Sequence, residues 1–492
     1  MSKSASYNQI LKSTSLFGGV QVVTIIVSLL RNKIVAVLLG PTGVGLMGIF
    51  ISASTLISSI SGLGLNYSIV REIAGAKAVQ KEDVSIGRVV SISQHWIILS
   101  ALLGLFATIL LAPLLSFFSF GSRDYTLSFV FLSLMIFLNA LCNGQKSIFQ
   151  GFRHLKDIAS ITIYSSLLSL FFSIPLFYFL KFDGIIFVLI ITAFVNYVIS
   201  SYFFKKIRIL KVSINFRQSA IEGFPMVKLG LTMVLNSILS SGTAYLLYSF
   251  ISHVGGLEQV GLYNAGWGII AQYTSVIFSA MAMDYFPRLS AISDDKVKVN
   301  LLVNQQVEIS MLLITPLMVF ILTFIPLIIA LLFSNSFLPV VNFAVWTVLG
   351  TLVRVPASVF SYILLAKKDM KLYLKIETSL FILFLFSNMI GYYYLSLEGL
   401  GISYFLNYSI YSLIYTILAQ KKYKLRITRP LVIIFLVSAF FLITSFVLSR
   451  FISARSMYVI GTFIFIISAL YSLKELNARI NLKSFFYKKT HE

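Results

Sequence analysis

The sequence predicts an all-α polytopic membrane protein with about fourteen transmembrane helices, and three observations predict it. The 492 residues are 58% hydrophobic and only 11% charged, whereas soluble globular chains carry about 25% charged residues. Apolar runs recur along the whole chain, each long enough for the roughly 20 residues that cross a hydrocarbon core. The cations fall almost entirely between alternate runs. A backbone in lipid must satisfy its own hydrogen bonds, so such runs are helices. The period-2 alternation of a membrane barrel is absent.

The runs fall at about 14–39, 44–70, 87–114, 125–149, 158–180, 184–204, 227–251, 261–286, 303–333, 337–366, 372–395, 399–420, 430–449 and 457–473. The last two are the shortest. Lys3 and Lys12 precede the first run as in a secretory signal, but no small-residue cleavage pattern follows and Arg31 interrupts the apolar stretch. The first run is therefore read as a retained helix. It breaks at Gly40-Pro41-Thr42-Gly43, and the second run begins there.

Orientation follows from the loop cations. With the N-terminus inside, 32 of the 39 Lys and Arg residues lie on the inner side and 4 (Arg123, Lys181, Arg450, Arg455) on the outer. Three more, Arg31, Lys33 and Arg354, lie within helices. An even number of helices places both termini in the cytoplasm. This distribution accounts for the net charge of +22 without a nucleic-acid partner.

The longest well-charged inner loop, 205–226, follows six helices and is read as a linker. Residues 1–204 form a six-helix N-terminal lobe, 227–420 a six-helix C-terminal lobe, and 421–492 two extra helices with a basic tail. Helices 1 and 7 both run outward, so the lobes are expected to be parallel repeats. Short matches fall at equivalent places. Val44-Gly45-Leu46 opens helix 2 and Val260-Gly261-Leu262 opens helix 8. Ser147-Ile148-Phe149 precedes Lys156-Asp157-Ile158, as Ser358-Val359-Phe360 precedes Lys368-Asp369-Met370.

No catalytic constellation emerges, and no enzyme activity or cofactor is expected. One cysteine, Cys142, excludes an intrachain disulfide and a Cys-based zinc site. Four widely separated histidines offer no metal-ligand spacing. Gly43-Val44-Gly45-Leu46-Met47-Gly48 fits a dinucleotide-binding pattern but follows a membrane helix rather than a strand. There is no P-loop lysine motif. Outer loops of about ten residues or fewer leave no room for the extramembrane catalytic loop expected of a membrane polymerase or glycosyltransferase.

The intramembrane charges carry the functional reading. A cation at such depth costs about 2.5–3.5 kcal/mol even on lenient insertion scales. Arg31 lies nine residues before Gly40, roughly 12–14 Å below the outer end of its helix. It is either an anion contact in a cavity or half of a structural ion pair. Lys33 is two residues on, about 200° around the helix, with snorkelling to the surface as its alternative role. Arg354 is sixteen residues from Leu338 and twelve from Ala366, so no snorkelling route is short. Pro356 should kink its helix. Lys146 is either a further anion contact or an interface anchor. Asp284, Glu308 and Glu377 are candidates for proton coupling; each could equally pair with a nearby cation, as Asp284 with Arg288 one turn away. Some tyrosines could stack on sugars, and the sequence does not say which.

Four stretches carry a resemblance: Arg31 to Ala36 followed by Gly40 to Leu46; Gly151-Phe152-Arg153; Val260 to Tyr263 through Tyr285 to Ser290; and Arg354-Val355 through Val359 to Tyr362 and Ala366-Lys367-Lys368. In these the chain resembles Wzx-type O-antigen flippases, the polysaccharide transporters of the MATE-like MOP superfamily. The resemblance implies a V-shaped pair of six-helix lobes around a cationic cavity that rocks open to either side. The cargo so implied is an oligosaccharide on undecaprenyl pyrophosphate, moved from the cytoplasmic to the periplasmic leaflet of a bacterial inner membrane. Arg31, Lys33, Lys146 and Arg354 would hold the pyrophosphate, and the lipid tail would stay in the bilayer. Glycan polymerase and chain-length machinery are the protein partners expected outside. The competing expectation is a MATE-type cation-coupled drug or metabolite antiporter, which would line its cavity with acids.

Overall fold

A computed structural model of the protein describes residues 3–78, 83–207, 210 and 212–480. Lys81, Arg208, Lys211, Lys483, Lys488 and Lys489, six of the cations read as cytoplasmic, lie outside the described residues. The described chain is helical throughout: α1 (Lys3–Ser61), α2 (Leu65–Ala78), α3 (Asp83–Phe120), α4 (Thr126–Gly151), α5 (Leu155–Leu180), α6 (Gly184–Lys206), α7 (Phe216–Ala280), α8 (Phe286–Ala291), α9 (Lys296–Leu332), α10 (Val340–Ala366), α11 (Met370–Lys421), α12 (Arg429–Phe451) and α13 (Ala454–Ile480).

Among the described residues, eleven helices are long and apolar enough to cross a membrane. Fourteen runs give eleven spans because three pairs of runs continue through one non-helical residue. These are Gly40 in α1 (φ 64°, ψ −167°), Gly256 in α7 (φ 80°, ψ 175°) and Ser396 in α11 (φ 51°, ψ −137°). Gly40 and Gly256 each precede the repeated Val-Gly-Leu by four residues, so the two bends occupy equivalent sequence positions. A positive φ costs glycine little, which suits it to both corners. The predicted second run, 44–70, is divided: α1 ends at Ser61, Leu63 and Gly64 take positive φ, and α2 restarts at Leu65. The eighth run is broken in a similar region by a π turn at Met281–Tyr285.

The chain forms two compact units, Met1–Gly261 and Leu262–Glu492, so the segment 205–226 lies within the first. In the first unit, Leu65, Ile69 and Ile73 of α2 present one helical face to Val90 and Ile97 of α3, Ile148 of α4 and Met226 of α7. The start of α7 is tied to α3. Arg88 donates to both oxygens of Glu222 (2.9 and 2.5 Å), and Trp96 Nε1 donates to the Ser219 carbonyl (3.0 Å). Near the bends, the backbones around Gly45 and Gly261 touch. A Cβ on Gly45 would lie 2.0 Å from the Leu257 oxygen, and one on Gly261 1.8 Å from that of Pro41.

In the second unit, α10 packs along α11 and against α9. The arms of α11 run antiparallel about Ser396: Ser403 Oγ donates to the Ser387 carbonyl (2.7 Å) and Asn407 Nδ2 to Ser387 Oγ (2.7 Å). The two C-terminal helices dock on α9. Asn300, Asn304 and Glu308, four residues apart, form a polar stripe on α9 that receives them. The amides of Arg426 and Thr428 donate to Asn300 Oδ1 (2.7 Å) and Asn304 Oδ1 (3.0 Å). Arg479 Nε of α13 donates to Glu308 Oε2 (2.8 Å).

Candidate functional site: an arginine in an aromatic cage

Arg354 stands at the middle of α10, half-buried. Its guanidinium carbon lies 4.3 Å from the centre of the Phe278 ring and 5.3 Å from that of Tyr408. An aromatic face attracts a desolvated cation by about 2 kcal/mol, so rings supply part of what water would. Its one hydrogen bond among the described residues is long, from NH1 to Tyr404 Oη at 3.4 Å. No carboxylate pairs with it there. Guanidinium carries five N–H donors in a fixed planar fork, and most of this fork is uncommitted. Pro356, two residues on, is buried and lacks an N–H, which frees the Leu352 carbonyl four residues before it.

The cage belongs to a ladder that the sequence reading did not single out. Tyr404, Tyr408, Tyr411 and Tyr415 recur at spacings of four, three and four on the second arm of α11, one helical face. Their successive ring centres are 4.6, 5.8 and 4.7 Å apart. Trp267 meets Tyr404 edge-on at 5.6 Å. At the far end Tyr411 and Tyr415 both donate to Glu377 Oε1, each at 2.8 Å. Glu377 is buried on the first arm of α11, and no cation pairs with it among the described residues. The spacing of these tyrosines was visible in the sequence; that it faces Arg354 and Glu377 depends on the bend at Ser396.

The other candidates are placed separately. Arg31, on the first arm of α1, is half-buried, and its Nε has no hydrogen-bond partner among the described residues. Lys33 faces away, in an apolar groove of about 510 Å³ with Val37 and Leu38 of α1 and Pro175, Tyr178 and Phe179 of α5. Lys146 lies beside the buried Cys142 on α4. Asp284 is exposed in the π turn and pairs with Arg288 at 3.0 Å. Glu308 holds Arg479 and accepts from Thr428 Oγ1 at 3.3 Å. Of the three acids, Glu377 alone shares a side-chain network with an intramembrane arginine. Arg31 and Arg354 belong to different units.

Taken together, the bent apolar spans define a multi-pass membrane protein. Solved structures with this architecture include a lipid II flippase, MurJ, in an inward closed conformation. It is 16% identical with a TM-score of 0.70, over 95% of this chain and 99% of that one. An inward-facing multidrug resistance MATE transporter of the MOP superfamily is 17% identical with a TM-score of 0.67, over 82% of this chain and 94% of that one. A MOP superfamily transporter from Pyrococcus furiosus, described as having a binding pocket of reverse polarity, is 16% identical with a TM-score of 0.59, over 84% and 96%. No curated protein matches the chain significantly by sequence. Residues 34–342 match the family described as polysaccharide biosynthesis protein, and the chain belongs to that family. The fold it shares with these structures is the MATE-like one.

Proposed function

We propose that the protein is a flippase for an oligosaccharide carried on undecaprenyl pyrophosphate, moving it from the cytoplasmic to the periplasmic leaflet of a bacterial inner membrane by alternating access. One observation carries this reading. Neither deep arginine, Arg31 in the first unit nor Arg354 in the second, has a carboxylate partner among the described residues. An unpaired guanidinium in a bilayer asks for an anion, and a diphosphate meets its planar fork bidentately. Membership in a polysaccharide biosynthesis family supports a glycan as the rest of the cargo, and the fold shared with a lipid II flippase supports a lipid-linked one. Lys33 and Lys146 are weaker contacts in this reading, because one faces an apolar groove and the other the Cys142 thiol. A repeat unit such as that of O-antigen would be handed outside to a polymerase and its chain-length machinery. Both termini are cytoplasmic.

The test is surface glycan in cells carrying Arg31→Ala or Arg354→Ala, with membrane levels of the protein checked. Each substitution should abolish the glycan, and Arg→Lys should restore it only in part, since lysine keeps the charge and loses the fork. Wild-type glycan from Arg354→Ala, or restored drug resistance in a sensitised strain, would turn the reading towards an antiporter.

A further inference from the structure

We propose that anion capture at Arg354 and protonation of Glu377 are coupled through the tyrosine ladder of α11, so that the site takes up a proton when it takes up an anion. This rests on Arg354 being an anion contact. The argument starts from where Glu377 sits. It is seven residues into α11, about 10 Å along the helix from its inner end. It is buried, and its Oε1 accepts from two phenols, with no ammonium or guanidinium in ion-pair range among the described residues. The titratable groups around it are Tyr411, Tyr415 and Tyr408 from the second arm of α11 and Tyr373 from its own arm. Tyr362 of α10 faces Tyr373 and Arg354. Among the described residues, the charged group that this ladder leads to is Arg354, reached through Tyr411 and then Tyr408.

Those two rings are the physical connection. Tyr408 lies 5.3 Å from the guanidinium and 5.8 Å from the Tyr411 ring, and Tyr411 donates to the carboxyl at 2.8 Å. While the anion site is empty, two phenolic O–H groups hold any charge on Glu377, and the cation at the other end of the ladder is Arg354. A bound diphosphate cancels that cation's field and adds negative charge at the same end of the ladder. The carboxylate then loses its compensation in a low-dielectric setting and takes a proton, which remains on the carboxyl oxygen. Linkage makes the effect reciprocal: a protonated Glu377 leaves Arg354 with higher anion affinity.

Full-length protein in nanodiscs, with inorganic pyrophosphate as probe, tests this. Proton uptake on binding is read with an indicator in weak buffer, and affinity is measured across pH for wild type and Glu377→Gln. Comparing the two cancels the titration of pyrophosphate itself. Wild type should take up more protons than the variant, and its affinity relative to the variant should fall by about 5–150-fold as pH rises through the transition. Tyr411→Phe with Tyr415→Phe removes both donors to the carboxylate and should move that transition to higher pH, which a purely structural role would not do. Should Glu377→Gln fail to fold, the infrared difference spectrum of wild type decides: pyrophosphate binding should add a protonated-carboxyl band that shifts in Glu377→Asp. Equal proton uptake and parallel pH profiles in wild type and Glu377→Gln, or absence of that band, would overturn the coupling. Arg354→Ala separates the two ideas. Undiminished binding there sinks the anion contact itself, whereas lost binding alongside parallel profiles sinks only the coupling.

Discussion

Removing the Arg479 side chain should loosen the two C-terminal helices from α9. Arg479 Nε lies 2.8 Å from Glu308 Oε2, with the two side chains 23% and 10% exposed. Breaking a buried pair by deleting one partner costs about 3–5 kcal/mol, because the remaining charge is stranded. A quarter-exposed arginine places this pair at the low end, about 3 kcal/mol, or about a hundredfold in the unfolding equilibrium. After Arg479→Ala, Glu308 keeps, among the described residues, Thr428 Oγ1 at 3.3 Å. The double variant Glu308→Gln with Arg479→Gln removes the stranded charge at Glu308, while Glu475, the second carboxylate on Arg479 at 2.5 Å, is 31% exposed and keeps water, so part of the loss should be recovered. Unfolding of purified protein in mixed micelles with a rising SDS fraction gives the four corners of the cycle. A single variant within about 0.5 kcal/mol of wild type would place the pair among weak surface contacts and refute the docking role given to the α9 stripe.

Three further outcomes are expected. Gly45→Val should prevent accumulation of folded protein, since its Cβ would fall 2.0 Å from the Leu257 oxygen, whereas Gly75→Ala, with nothing near its Cβ, should fold; size-exclusion profiles of the two decide. The carboxyl of Asp369, in the turn between α10 and α11, is held below its usual range by the Lys422 ammonium and the Tyr423 hydroxyl. A depressed folded value means that its contribution is present above about pH 4, the unfolded carboxylate value, and is lost as pH falls below it. Asp369→Asn should therefore flatten the acid limb of the stability profile and leave its slope at neutral pH unchanged. Reporter fusions at Lys77, Gln218 and Lys422 should signal cytoplasm and those at Ser122 and Glu258 the outside; a reversed signal at Glu258 would break the parallel-repeat arrangement.

Membrane class and helical character were legible in the sequence, because the cost of burying charge and leaving backbone unpaired in lipid acts on every residue of a span. That constraint writes itself as long apolar runs, and the fourteen runs reappear as eleven spans bent at Gly40, Gly256 and Ser396. Two of the bends share a spacing that the chain displays, with Gly40 and Gly256 each four residues before Val-Gly-Leu. Arg31 and Arg354 stood out for the same energetic reason. What each charge touches could not be read, because a helix shows its neighbours no sequence signature of which face they meet. Only the tertiary structure gave Glu308 to Arg479 and Glu377 to Tyr411 and Tyr415, pairs separated by 171, 34 and 38 residues. Asp284 met the neighbour one turn away that the sequence offered it. Lys33 was drawn by its position, about 200° around the helix from Arg31, into an apolar groove. The tyrosine ladder shows the division most clearly: its spacing is a property of the chain, and its function as a cage depends on the antiparallel return of α11 about a single residue, Ser396.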